Sequence, residues 1–231
     1  MFRTFLIAAT LGSAATPAMA QTADPDPRPL PQAGEEIVFD VYRNGDVVFG
    51  THAVRFSGDR GDLIAATTIR LRAGFGPVTV FRYEHDATER WRDDQLIALD
   101  GRTLKDGDTF EVTARSTSEG LEVNGVNPEG EAISHILSAG ILPSSHWHGY
   151  PADMAEMLNT EHGTVMETTV EYLGETEIEG DGGMITVGRY RLSSTLTVDL
   201  FYDENGRWAG CEFEARDQTV RYVRRADPVT G

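Results

Sequence analysis

Between Glu35 and Arg225 the chain repeats one pattern: a short run with apolar and polar residues alternating, then a pair of residues that reverses direction. In the first run Ile37, Phe39 and Val41 fall on one side and Val38, Asp40 and Tyr42 on the other, the period of an extended strand. Asn44-Gly45 follows, the kind of two-residue turn whose backbone twist matches that of paired strands. Similar runs cover Val48–Phe56, Leu63–Arg72, Val78–His85, Gln95–Leu99, Thr109–Arg115 and Leu121–Asn124. They resume at Thr164–Leu173, Met184–Ser193, Leu196–Tyr202, Trp208–Ala215 and Thr219–Val223. Ser57-Gly58, Asp106-Gly107, Asn124-Gly125, Asp181-Gly182 and Asn205-Gly206 mark the joints. Short strands at this spacing predict an all-β domain, and a sheet of about 10–12 antiparallel strands curls strongly, into a barrel or half-barrel.

One segment departs from the rhythm. Ile141–Thr160 holds Pro143, Ser144, Ser145, His146-Trp147-His148 and then Pro151. Proline suits a first helical turn, and Met154, Met157 and Leu158 after it share one face at helical spacing. The expectation is a loop with one short amphipathic helix, inserted at 141–160 as a lid over a pocket or a plug in the core. No long repeat or second hydrophobic pattern appears, so residues 35–227 read as a single domain.

Residues 1–20 read as a signal peptide. Arg3 is their only charge, the apolar run from Phe5 to Ala15 is too short to span a bilayer, and Ala18-Met19-Ala20 is a small-x-small cleavage site. Gln21–Gly34 follows with Pro25, Pro27, Pro29 and Pro31, a proline-rich leader that cannot join a sheet ladder. Nothing later resembles a membrane span. The expected product is an exported, soluble protein of the bacterial periplasm. With 37 acids against 20 bases and a formal charge of −17, nucleic acid and anionic membranes are poor partners. The single Cys excludes an internal disulfide framework.

Three stretches carry a family likeness: Val80-Phe81-Arg82-Tyr83-Glu84-His85 with Glu89-Arg90-Trp91, Leu142-Pro143-Ser144-Ser145-His146-Trp147, and Phe201-Tyr202-Asp203-Glu204-Asn205-Gly206-Arg207-Trp208. Together they resemble a domain-of-unknown-function family of exported proteins from Gram-negative bacteria. The resemblance implies a periplasmic antiparallel β-fold and transfers no activity. A looser, architectural likeness is to the half-barrel carriers of lipids and lipoproteins in the periplasm.

Two constellations are candidates for chemistry. Phe81, Tyr83 and His85 share one strand face, with Trp91 just beyond; aromatic walls with a few polar handles are the usual makeup of a ligand cavity. With Trp147 in the insert and Tyr202 near the end, these six would line or gate a site, His85 its polar handle. The second constellation is ionic. Residues 116–188 hold 13 acids and no Lys or Arg, and four of the six histidines (His135, His146, His148 and His162) lie there. In extended chain His146 and His148 point to one side, so they are a candidate metal pair, with His162, Glu161 or Asp153 as a third ligand. Cys211 sits on an apolar face with Ala209, Phe213 and Ala215, where a thiol is inert. No GxSxG, HExxH or phosphate-binding glycine loop is present, and no organic cofactor is expected. The leading expectation is a non-catalytic carrier of a small apolar or amphipathic ligand. A metal-dependent enzyme using His146 and His148 and an envelope protein-interaction module, working through an edge strand or the acidic face, are the alternatives.

Overall fold

The computed structural model describes residues 31–59, 61–75 and 78–226; the signal peptide read at 1–20 and most of the leader lie outside them. Eight strands come first: β1 (Glu36–Arg43), β2 (Val47–Asp59), β3 (Asp62–Phe75), β4 (Val78–Arg92), β5 (Gln95–Lys105), β6 (Asp108–Ser116), β7 (Leu121–Val126) and β8 (Ala132–Leu137). A connector carries three short ones, β9 (Leu142–Pro143), β10 (Glu156–Leu158) and β11 (Val165–Glu167). Five more follow among the described residues: β12 (Thr169–Gly180), β13 (Gly183–Ser193), β14 (Thr197–Tyr202), β15 (Trp208–Ala215) and β16 (Gln218–Arg224).

Thirteen strands form one sheet, ordered β12-β13-β14-β15-β16-β1-β2-β3-β4-β5-β6-β7-β8, with antiparallel pairing between all neighbours. Two meanders, β1–β8 and β12–β16, are thus fused where the last strand pairs with the first, Val41 opposite Tyr222. Bulges in β2, β4, β5, β12 and β15 add local twist, and a sheet this wide curls rather than staying flat. The curl does not close: β12 and β8 remain as its two edges, making a half-barrel. Both edges fall in the base-free stretch 116–188. Along β12 the side chains of Glu171, Glu175, Glu177 and Glu179 are exposed, and such charge discourages edge-to-edge pairing between copies.

The expected face of the first strand is the buried one: Ile37, Phe39 and Val41 are all within the core, with Phe39 4.4 Å from the Trp208 ring. Asn124-Gly125 proves to be strand rather than turn; the chain reverses at 127–131 and adds β8, whose alternation is too weak to read from sequence.

The helix expected within 141–160 is absent. Met157 and Leu158 lie in β10, paired parallel with Leu142–Pro143 and antiparallel with Val165–Met166. A run of so few residues after Pro151 does not repay helix nucleation, whereas the extended form pairs Met157 and Leu158 with strands on both sides and still buries both side chains. The connector lies across the inner face of β5–β7, and two glycines make room for it. A Cβ on Gly101 would stand 2.7 Å from Thr160 O, and one on Gly125 only 2.4 Å from His162 O.

Candidate functional site

Inside the curl is a cavity of about 590 Å³. Its plan follows from strand register. One row across the inner face reads His52, Ile69, His85 and Thr103; the next reads Val54, Thr67, Ala87 and Gly101; the third reads Phe56, Ala65, Glu89 and Leu99. In the other direction lie Leu71 with Tyr83 and Lys105, then Ala73 with Phe81. β4, like β3 beside it, therefore spans the full depth, presenting Phe81, Tyr83, His85, Ala87, Glu89 and Trp91 in turn because alternate residues share a face. At the Phe81 end the rim carries Arg43, Lys105 and Arg216. At the Glu89 end the connector residues Ser145, His146 and Trp147 shut the space.

The open half is apolar and aromatic. Tyr83 donates its hydroxyl proton to Glu161 at 2.9 Å, and Lys105 Nζ approaches the other oxygen of that carboxylate at 3.5 Å. Burial, reinforced by Glu161, holds the Tyr83 phenol well above its ordinary range. His85 Nδ1 meets Thr103 Oγ1 at 2.8 Å, and burial keeps this imidazole below its usual pKa against the pull of Glu161 and Asp86.

The closed half is polar yet carries few charges. The Tyr150 hydroxyl lies 2.8 Å from His146 Nδ1 and 3.2 Å from Pro143 O, and it accepts from the His146 backbone N–H at 3.2 Å. Burial, then His148, push the His146 pKa down to about 3. His52 is packed among Phe39, Trp208 and Tyr222, and burial, then His146 and His85, hold it neutral. Glu89 is wholly inaccessible. Its Oε2 accepts from Trp91 Nε1 at 2.9 Å and Trp147 Nε1 at 3.2 Å, while Ser145 Oγ lies close enough to lower the carboxyl's pKa, more than either indole does, but in a geometry short of a full hydrogen bond. Desolvation raises its pKa to about 7, and the donors around it limit the rise. Cys211 also lines the wall, its thiol pushed up by burial and so unreactive.

Of the six residues expected to line or gate a site, Phe81, Tyr83 and His85 line the cavity. Trp91, Trp147 and Tyr202 stand behind the wall. Trp147 packs edge-on against Phe56 at 5.1 Å and Trp91 at 5.4 Å, and Tyr202 donates to His146 O at 2.8 Å, bracing the connector. The connector therefore plugs the core at this end. A left-handed backbone at His146 (φ 63°) departs from the extended geometry, and the imidazoles of His146 and His148 pack against the Tyr150 ring at 5.7 and 5.1 Å. His146 lines the cavity, while His148 rests against Trp91 with Nε2 3.1 Å from Pro143 O. Among the described residues no group of three His, Cys, Asp or Glu is placed to hold a metal ion. His52, Thr67, Glu89 and Ser145 were not anticipated. The legible signal was a polar residue on an apolar face: His52 in step with Val54 and Phe56, and Glu89 in step with His85 and Ala87 beyond the point where the run seemed to end.

A crystal structure of a β-barrel-like protein, of domain of unknown function DUF1849 from Brucella abortus, is similar to this chain with a TM-score of 0.55, covering 82% of this chain and 94% of that one. At 10% identity the likeness is one of fold. No curated protein matches the sequence. The model of the domain of unknown function DUF6134 matches residues 39–225, the span that holds nearly the whole sheet and the connector, and the chain belongs to that family.

Proposed function

We propose that this protein is a non-catalytic carrier of a small apolar or amphipathic ligand, exported to the periplasm by the signal peptide read at residues 1–20. The observation that carries the reading is the cavity itself. A volume of about 590 Å³ falls in the range that encloses drug-sized molecules, and its walls are mainly apolar with a few convergent polar groups. A sheet curled around side chains alone has no need of such space.

Native mass spectrometry of the mature protein, purified gently from periplasm, is expected to show a retained organic mass; a bare polypeptide would count against the carrier. The cavity is also open to direct probing. N-phenylnaphthylamine, which fluoresces in apolar surroundings, is expected to bind the wild type. Ala87→Phe, which fills the middle row between Thr67 and Gly101, should weaken that binding by at least about tenfold while leaving the fold intact. Equal affinity in the two proteins would place the probe outside the half-barrel.

A further inference from the structure

Four side chains that line the cavity are each more than nine-tenths buried and carry an atom without a hydrogen-bond partner: His52 at Nδ1 and Nε2, Thr67 at Oγ1, Glu89 at Oε1 and Ser145 at Oγ. Unpaired buried polar groups cost about 1–3 kcal/mol each, and folded proteins keep few of them. Here they converge. His52, Thr67 and Glu89 occupy successive rows of one sheet face, and Ser145 comes from the connector that shuts the same end.

The hydrogen bonds already made fix what is on offer. Glu89 Oε2 receives two indole N–H groups, so it must present lone pairs, and in the neutral acid the proton resides on Oε1, the oxygen with no partner. No Lys or Arg is among the groups acting on Glu89, and the basic side chains Arg43, Lys105 and Arg216 line the cavity at the other end. The imidazoles of His52 and His146 are neutral. The closed end thus offers hydrogen-bond donors and acceptors but no fixed charge for a counter-ion.

Resting on the carrier reading, we propose that the closed end seats the uncharged, oxygen-bearing head of an amphipathic ligand, an alcohol, amide or carbonyl. Glu89 Oε1–H donates to the ligand oxygen, while Thr67, Ser145 and His52 complete its hydrogen bonds. The apolar body runs outward along Ile69, Leu71 and Phe81. The ligand enters head first.

Competition against bound N-phenylnaphthylamine at pH 6 tests this. Decanol and undecane are nearly isosteric, and a plain apolar cavity prefers undecane. The seat predicts the reverse, with decanol displacing the probe at a concentration lower by about tenfold, the worth of one or two good hydrogen bonds. Glu89→Leu and the milder Thr67→Val should each erase most of that preference. Glu89→Gln, which keeps a donor where Oε1 stands, should reduce it no more than about threefold. Undecane as the stronger competitor, or a decanol preference that survives both Glu89→Leu and Thr67→Val, overturns the seat and leaves the carrier standing. Decylamine as the strongest competitor would make Glu89 a counter-ion and overturn the neutral head. Decanoate as the strongest would put the head at the open end beside Arg43 and Lys105, with the same result. A probe that fails to enter the wild type removes the carrier reading, and the seat with it.

Discussion

Trp147→Ala is expected to lower the free energy of unfolding by about 3–5 kcal/mol, the usual cost of truncating a large buried aromatic. Trp147 is 3% exposed and fills the space between Phe56, Trp91 and His148, with ring centres 5.1–5.4 Å away. Nothing nearby is free to collapse into the void, because Phe56 and Trp91 are fixed on strands of the same sheet. The substitution also removes one of the two indole donors to Glu89. Urea denaturation checks this: the midpoint should fall with the slope unchanged, since the surface exposed on unfolding hardly differs. Probe affinity should weaken as well, through a floor no longer held in place. A loss under about 1 kcal/mol would show that the connector is not seated on the sheet in solution.

The strands were legible because their cause is local. Alternation such as Ile37, Phe39, Val41 against Val38, Asp40, Tyr42 is a property of the segment itself, and the turn pairs between runs fix the register of each hairpin. The connector is illegible in the sequence for the converse reason. Met154, Met157 and Leu158 satisfy helical spacing, but what decides their state is the ladder that Leu142–Pro143 and Val165–Glu167 supply from distant sequence. The same holds for the site. Phe81, Tyr83 and His85 could be placed on a cavity face from one strand's pattern. That Trp147 stands behind Glu89 rather than over a pocket depends on a path of chain that only the folded sheet defines. The extended geometry assumed for His146 and His148 is changed by a single dihedral, a left-handed residue that composition does not announce. Glu89 belongs to the same face as His85, two turns of the pleat further on. A buried carboxylate in an apolar row was visible as an anomaly, but its meaning came only with the two indoles that hold it.

Burial makes Glu89 a source of pH-dependent stability at the closed end, and Glu89→Gln is expected to stabilise the protein by about 3 kcal/mol at pH 8 and by less than about 1 kcal/mol at pH 5. The direction follows from proton binding. Glu89 has its pKa raised from 4.5 to about 7 in the folded state. Between those values the folded chain holds a proton that the unfolded chain has released, so rising pH favours unfolding. The loss accumulates from pH 4.5 upward and is complete above pH 7, where the folded state must bear a buried, ionised carboxylate. Gln keeps the shape, can still accept from Trp91 and Trp147, and has no proton to lose. His52 and His146 act in the opposite sense: held neutral by burial, they cost stability as pH falls through the ordinary imidazole range. Both contributions are common to wild type and variant, so the difference between the two proteins isolates Glu89. Chemical denaturation across pH 5–8 is the measurement, and the gap between the curves should widen as pH rises. Parallel curves would mean that Glu89 does not titrate in this range. A variant less stable than wild type at pH 8 would mean that the carboxylate is ionised and satisfied, and hence that Oε1 has a partner of its own in the empty protein. The widening gap is also what a head-group seat requires, because a carboxyl kept protonated in the folded state is the form that donates to a neutral ligand.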